Sequence, residues 1–141
     1  MRKWISSRAV GAAVALAGTL LAVPGLAHHS FAPFWHMDRM ATIEGVVVEL
    51  RMVNPHPTLK VEVAEANGQK AVWTITARAT ASALITGGWT AQTLTPGMRV
   101  RVQGNPPRRE GLDALAAGAI TKLADGAVLS FGGTGDIPAG E

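Results

Sequence analysis

The chain has no cysteine among its 141 residues. Without thiols there is no disulfide, no thiolate metal site, no cysteine nucleophile and no lipid-modified cysteine anchor. Charge is also scarce, at 16% of residues, and its basic excess is confined to one place. Of the 13 Lys and Arg, three (Arg2, Lys3, Arg8) fall in the first 37 residues and are the only charges there; the remaining 10 meet 10 Asp and Glu. The basic pI therefore belongs to the N-terminus, and the body of the protein is neutral. A neutral body lacks the surface that phosphate neutralisation requires, so nucleic acid is not an expected partner. Aromatic residues make up 5%. The faces expected to point outward on the second and third strands (Lys60, Glu62, Lys70, Thr74) hold no ring on which a base could stack. Signatures of catalysis are missing too. Ser30, Ser82 and Ser130 have no nucleophile-elbow context, and no Gly-rich phosphate cradle follows a strand. The chain is not expected to be an enzyme.

What the N-terminus does contain is an export signal. Residues 1–8 are basic, Ala9 to Val23 is an apolar run of 15, and Pro24-Gly25-Leu26-Ala27 supplies a helix breaker and small residues before a cut. The run falls short of the roughly 20 apolar residues of a spanning helix, so a membrane anchor is the weaker reading. Cleavage after Ala27 is expected. It leaves a mature periplasmic chain that begins His28-His29-Ser30-Phe31 and has no membrane attachment. Residues 28–41 show no period and are expected to form a His/aromatic strap, with Phe31, Phe34 and Trp35 packed on the domain.

The remainder alternates at strand period. In residues 42–53, Val46, Val48, Leu50 and Met52 share one face, with Ile43 out of phase; a bulge near Gly45 would correct that phase. Asn54-Pro55-His56-Pro57 ends the strand, since proline cannot continue a ladder. Leu59, Val61 and Val63 point inward in 58–66, Asn67-Gly68 favours a two-residue type I′ hairpin, and 70–76 returns with Trp73 and Ile75 on one face. Residues 79–86 read as a short helix capped by Gly87-Gly88, followed by Trp89 as a plug of the core. Thr95-Pro96-Gly97 is a type II turn. Residues 98–103 alternate without error, residues 105–111 are a loop, and 114–123 form a weaker strand diluted by small residues. The order strand, strand, strand, helix, strand, strand is that of an OB-like five-stranded barrel over 42–131, all-β with one short helix. The alternative is an open antiparallel sheet capped by the helix. Residues 132–141 are expected to be a flexible Gly/Pro-rich tail.

Several short motifs stand in order along the chain: His28-His29-Ser30-Phe31, Gly45-x-Val47, Asn54-Pro55-His56, Gly88-Trp89-Thr90, Leu94-x-Pro96-Gly97 and Ala124-Asp125-Gly126. In these the mature chain resembles the small exported bacterial proteins of the domain of unknown function 6152. The resemblance implies export and a small β-rich domain; it brings no activity, substrate or catalytic residue. Two segments depart from the family pattern. Pro57-Thr58 stands where apolar or aromatic residues tend to follow the N-P-H element, and Thr74-Ile75-Thr76 stands where a glutamate tends to follow the tryptophan.

All four histidines (His28, His29, His36, His56) lie in the first half of the mature chain. After cleavage at Ala27, the α-amine and ring Nδ1 of His28 can chelate one ion, and one further imidazole completes a three-nitrogen set that suits Cu(II). The candidate metal ligands are His28 and His56, then His29, then His36, with copper as the cofactor. The competing reading makes His28 and His29 an unstructured end, His56 a turn residue bonded to backbone and His36 a loop cap. Asn54, Arg108 and Arg109 are candidates for the ligand-bordering loops of the barrel, against an account of the arginines as solvated loop charge. Two functions follow: a periplasmic binding module carrying copper at its N-terminal histidines, or a metal-free module that docks a periplasmic protein or small ligand.

Overall fold

The computed structural model describes residues 30–132. The expected signal peptide, His28, His29 and residues 133–141 of the expected tail lie outside that range. Among the described residues, six strands and one helix follow in order: β1 (Ala41–Arg51), β2 (Thr58–Ala64), β3 (Lys70–Ala77), α1 (Ala81–Thr86), β4 (Arg99–Asn105), β5 (Ala114–Lys122) and β6 (Val128–Ser130). The sheet runs β3-β2-β1-β4-β5-β6, and a further pairing joins β3 to β5. That last pairing is parallel, Thr74 to Ala114 through Ala77 to Ala117, while all others are antiparallel. It closes five strands into a barrel and rules out the open sheet. β6 is an outer strand on β5.

The core forms where alternation brings apolar side chains inside. Leu59 and Val61 from β2, Ile75 from β3, Val100 and Val102 from β4 and Ile120 from β5 are fully buried. At about 25 cal/mol per Å² of apolar surface removed from water, burial of this kind drives the fold. α1 starts at Thr80, whose hydroxyl accepts from the Ala83 N–H at 3.2 Å, and it buries Ala81 and Leu84. Trp89 and Phe131 complete the seal with ring centroids 5.1 Å apart.

Four expectations need correction. The bulge in β1 lies between Val47 and Glu49, not near Gly45. Val47 is therefore buried and Val48 is 42% exposed, while Leu50 and Met52 keep their inward phase. Gly45 serves close approach instead, since a Cβ there would collide with the Glu62 carbonyl oxygen and come within 2.6 Å of Val61 Cγ1. The β2–β3 hairpin is not a type I′ turn, which needs positive φ at both central residues. Gly68 alone among the turn residues has positive φ, and its N–H donates to Glu65 O at 2.9 Å. Ala66 and Asn67 thus form the centre of a type I turn, and Gly68 makes a glycine bulge behind it. The expected weak strand, β5, is the most buried of all, with Leu115 through Ile120 buried. Both of its faces are covered, so alternation disappears and small residues are what fit. Phe34 does not pack on the domain; it is 70% exposed.

Candidate functional site

The loop joining β1 and β2 is held from outside. Pro55 and Pro57 have no N–H to donate, but their carbonyls accept from Ala81 at 3.3 Å and Ala77 at 2.8 Å. Between them His56 is half-buried, and its Nδ1 lies 3.2 Å from the Ala79 carbonyl oxygen. A carbonyl can only accept, so Nδ1 carries the proton. In the neutral ring Nε2 then keeps its lone pair. The rings of His56 and Phe31 meet edge to face, with centroids 5.1 Å apart and 81° between planes.

Phe31 belongs to the strap, whose other end is fastened to the β4–β5 loop. The backbone of Trp35 bridges Pro107. The His36 N–H donates to Pro106 O and the Arg108 N–H to Phe34 O, each at 2.9 Å. Two side chains reinforce these links. Arg108 Nε donates to Ala32 O at 2.7 Å. Asn105 Nδ2 donates to His36 O at 3.1 Å and to Arg39 O at 2.7 Å. Asn105 is 4% exposed, the one buried polar side chain among the described residues. The strap thus crosses between the two loops that border the ligand face in OB barrels.

An open cleft of about 480 Å³ lies there, lined by Ser30, Phe31, Pro33, Phe34, Trp35, His56 and Thr76. Five of those residues come from the strap, one from the β1–β2 loop and one from β3. The walls are mainly carbon and aromatic ring, with few polar atoms to fix a ligand.

The expected site residues divide accordingly. His56 lines the cleft. Ser30, which directly follows His29 in sequence, lines it too. His36 does not; its Nδ1 lies 3.5 Å from an Arg108 guanidinium nitrogen and 3.8 Å from Asp38 Oδ1. Arg108 is exposed yet structural, because its Nε is spent on the strap; it is not simply solvated loop charge. Asn54 and Arg109 are exposed and outside the cleft lining. Among the described residues, no three of His, Asp or Glu come together as a metal site. Asn105 and Ala79 were not foreseen. An Asn-Pro pair after a strand signals a turn, but nothing in the sequence ties it to carbonyls more than 60 residues earlier.

A model of a family of unknown function (DUF6152) matches residues 16–115. No curated protein matches the chain.

Proposed function

The chain belongs to the family of unknown function DUF6152, so its role must come from its own residues. We propose that it is exported, cut after Ala27, and works in the periplasm as a non-catalytic binding module. Its site is the cleft between strap and barrel, and its ligand is a compact molecule with a planar or apolar face. One observation carries this reading: Phe31, Phe34 and Trp35 wall the same opening as His56, at the loops where such barrels bind. Phe34 supports it further, since a large apolar side chain left 70% exposed at the rim of a cleft has surface to bury on a ligand.

Anilinonaphthalene sulfonate, an amphiphilic probe whose aromatic rings seek apolar surface, tests the site. The folded mature protein is expected to bind one equivalent. Phe34→Ser is expected to weaken binding about tenfold, the worth of roughly 1.4 kcal/mol. Phe34 is exposed, so the variant keeps its fold. Absence of binding, or equal binding by both proteins, overturns the proposal. Mass spectrometry of the secreted product tests the export step, with a first residue of His28 expected.

A second reading places copper at the same opening through the N-terminal histidines. It is favoured by the His56 hydrogen bond to Ala79, which leaves one ring nitrogen able to accept.

A further inference from the structure

We infer that the cleft selects uncharged aromatic molecules that carry a hydrogen-bond donor, phenols being the simplest class, and that the neutral ring of His56 is the acceptor. The inference rests on the cleft reading above. It deepens that reading by naming the chemistry of the ligand and the residue that recognises it.

The first argument is the second nitrogen of His56. Its Nδ1–H is committed to the Ala79 carbonyl, and this is the one hydrogen bond the side chain makes among the described residues. Nε2 therefore meets no protein donor there. It is not sealed in, because among the described residues no buried side-chain nitrogen or oxygen lacks a partner. The half-buried ring lines the cleft, so a lone pair set by the tautomer is open to a ligand. In the neutral ring that atom can only accept. Backbone bonds of Pro55 and Pro57 to Ala81 and Ala77 hold the loop that carries it, which lowers the ordering cost of binding.

The second argument is charge. The residues that line the cleft include no Asp, Glu, Lys or Arg. A charged ligand would shed water there without gaining an ionic partner. An anion would also face the Nε2 lone pair. A cation would meet the field of Arg108, whose Nε holds the Ala32 carbonyl at 2.7 Å, between the lining residues Phe31 and Pro33. An uncharged ring meets neither penalty and can pack on Phe31, Phe34 or Trp35.

The third argument separates His56 from the hydroxyls of the cleft. Ser30 and Thr76 both line it, and Ser30 Oγ accepts from the Ala32 N–H at 3.3 Å. A hydroxyl donates as readily as it accepts, so neither residue distinguishes a donor from an acceptor on the ligand. Nε2 does. A phenol suits both kinds of group, since its O–H can go to Nε2 while its oxygen accepts from a hydroxyl.

The experiment is a calorimetric titration of the mature protein at about pH 8, where phenols keep their proton and imidazoles are neutral. The ligands are naphthol, its methyl ether, and naphthalenes bearing a carboxylate or a trimethylammonium group in place of the hydroxyl. The proteins are the parent, His56→Phe, which keeps a ring and loses the acceptor, and Thr76→Val, which loses a hydroxyl. Naphthol is expected to bind the parent and Thr76→Val about tenfold more tightly than the ether does, although the ether is the more apolar molecule. Both charged ligands are expected to bind more weakly than naphthol. His56→Phe is expected to erase the preference for naphthol over the ether. The inference is refuted, and the cleft reading stands, if the ether matches naphthol on the parent, if a charged ligand binds best, if the preference survives in His56→Phe, or if it is lost as well in Thr76→Val. If no ligand binds the parent, the cleft reading falls and this inference with it. The comparison of ligands on the parent needs no substitution, so it decides the matter even where His56→Phe does not fold.

Discussion

Asn105 shows how one side chain joins distant parts of this chain. Its amide sits at the end of β4 and donates to two carbonyls of the strap. Asn105→Ala removes both bonds and leaves the His36 and Arg39 carbonyls to find water. A loss of about 1–3 kcal/mol is expected, measured by urea denaturation with an unchanged m-value. Its neighbour Gly104 is under a stricter limit. A Cβ there would stand 2.6 Å from Ala116 O and 2.9 Å from Ala117 Cα, both backbone atoms that cannot rotate away. Gly104→Ala is expected to cost about 3 kcal/mol or more by forcing β4 from β5, read as a fall in denaturation midpoint. A substitution at Gly68 makes no such contact, since nothing lies within 4 Å of its Cβ position. Its cost is the strain of φ +81 alone, about 1–2 kcal/mol.

At the level of elements, α1 is only six residues long and depends on its cap. Thr80→Ala removes the bond to the Ala83 N–H and is expected to cost about 1 kcal/mol; Thr80→Ser is expected to restore most of it, with thermal denaturation as the measurement. The elements also show what was legible in advance. β4 declared itself through Val100 and Val102 set between Arg99, Arg101 and Gln103, because one face meets the core and the other meets water. β1 hid the place of its bulge. Gly45 looked like the irregular residue, but its missing side chain answers to the backbone of β2, and the extra residue is Val48. β5 looked weak because burial on both faces erases the period that betrays a strand. Asn67-Gly68 marked a turn correctly and misled on its type, since turn geometry follows from the register of Ala64 against Lys70. At the site, His56 and the strap were visible as residue types. Their meeting was not. It is made by carbonyls of Ala79, Ala32 and His36, and carbonyls have no residue signature.

For the molecule as a whole, the barrel and its strap are two layers of unequal hold. The strap is tied by a handful of hydrogen bonds and by Phe31 on His56, whereas β4 and β5 are locked in the core. Replacing both Asn105 and Arg108 by Ala is expected to speed hydrogen exchange at the amides of His36 and residue 108, with Val102 and Ile120 still protected. Loss of protection throughout would mean that the strap is integral to the barrel. The closure of that barrel has a consequence for the making of the protein. β5 is the strand that meets β3, β4 and β6, and it follows β1 to β4 in the chain. Any process that delivers this polypeptide amino end first, on a ribosome or through a pore, hands over four strands that cannot complete their cylinder. The unfinished rim on β3 must wait, slack and threadable, until residue 117 has emerged.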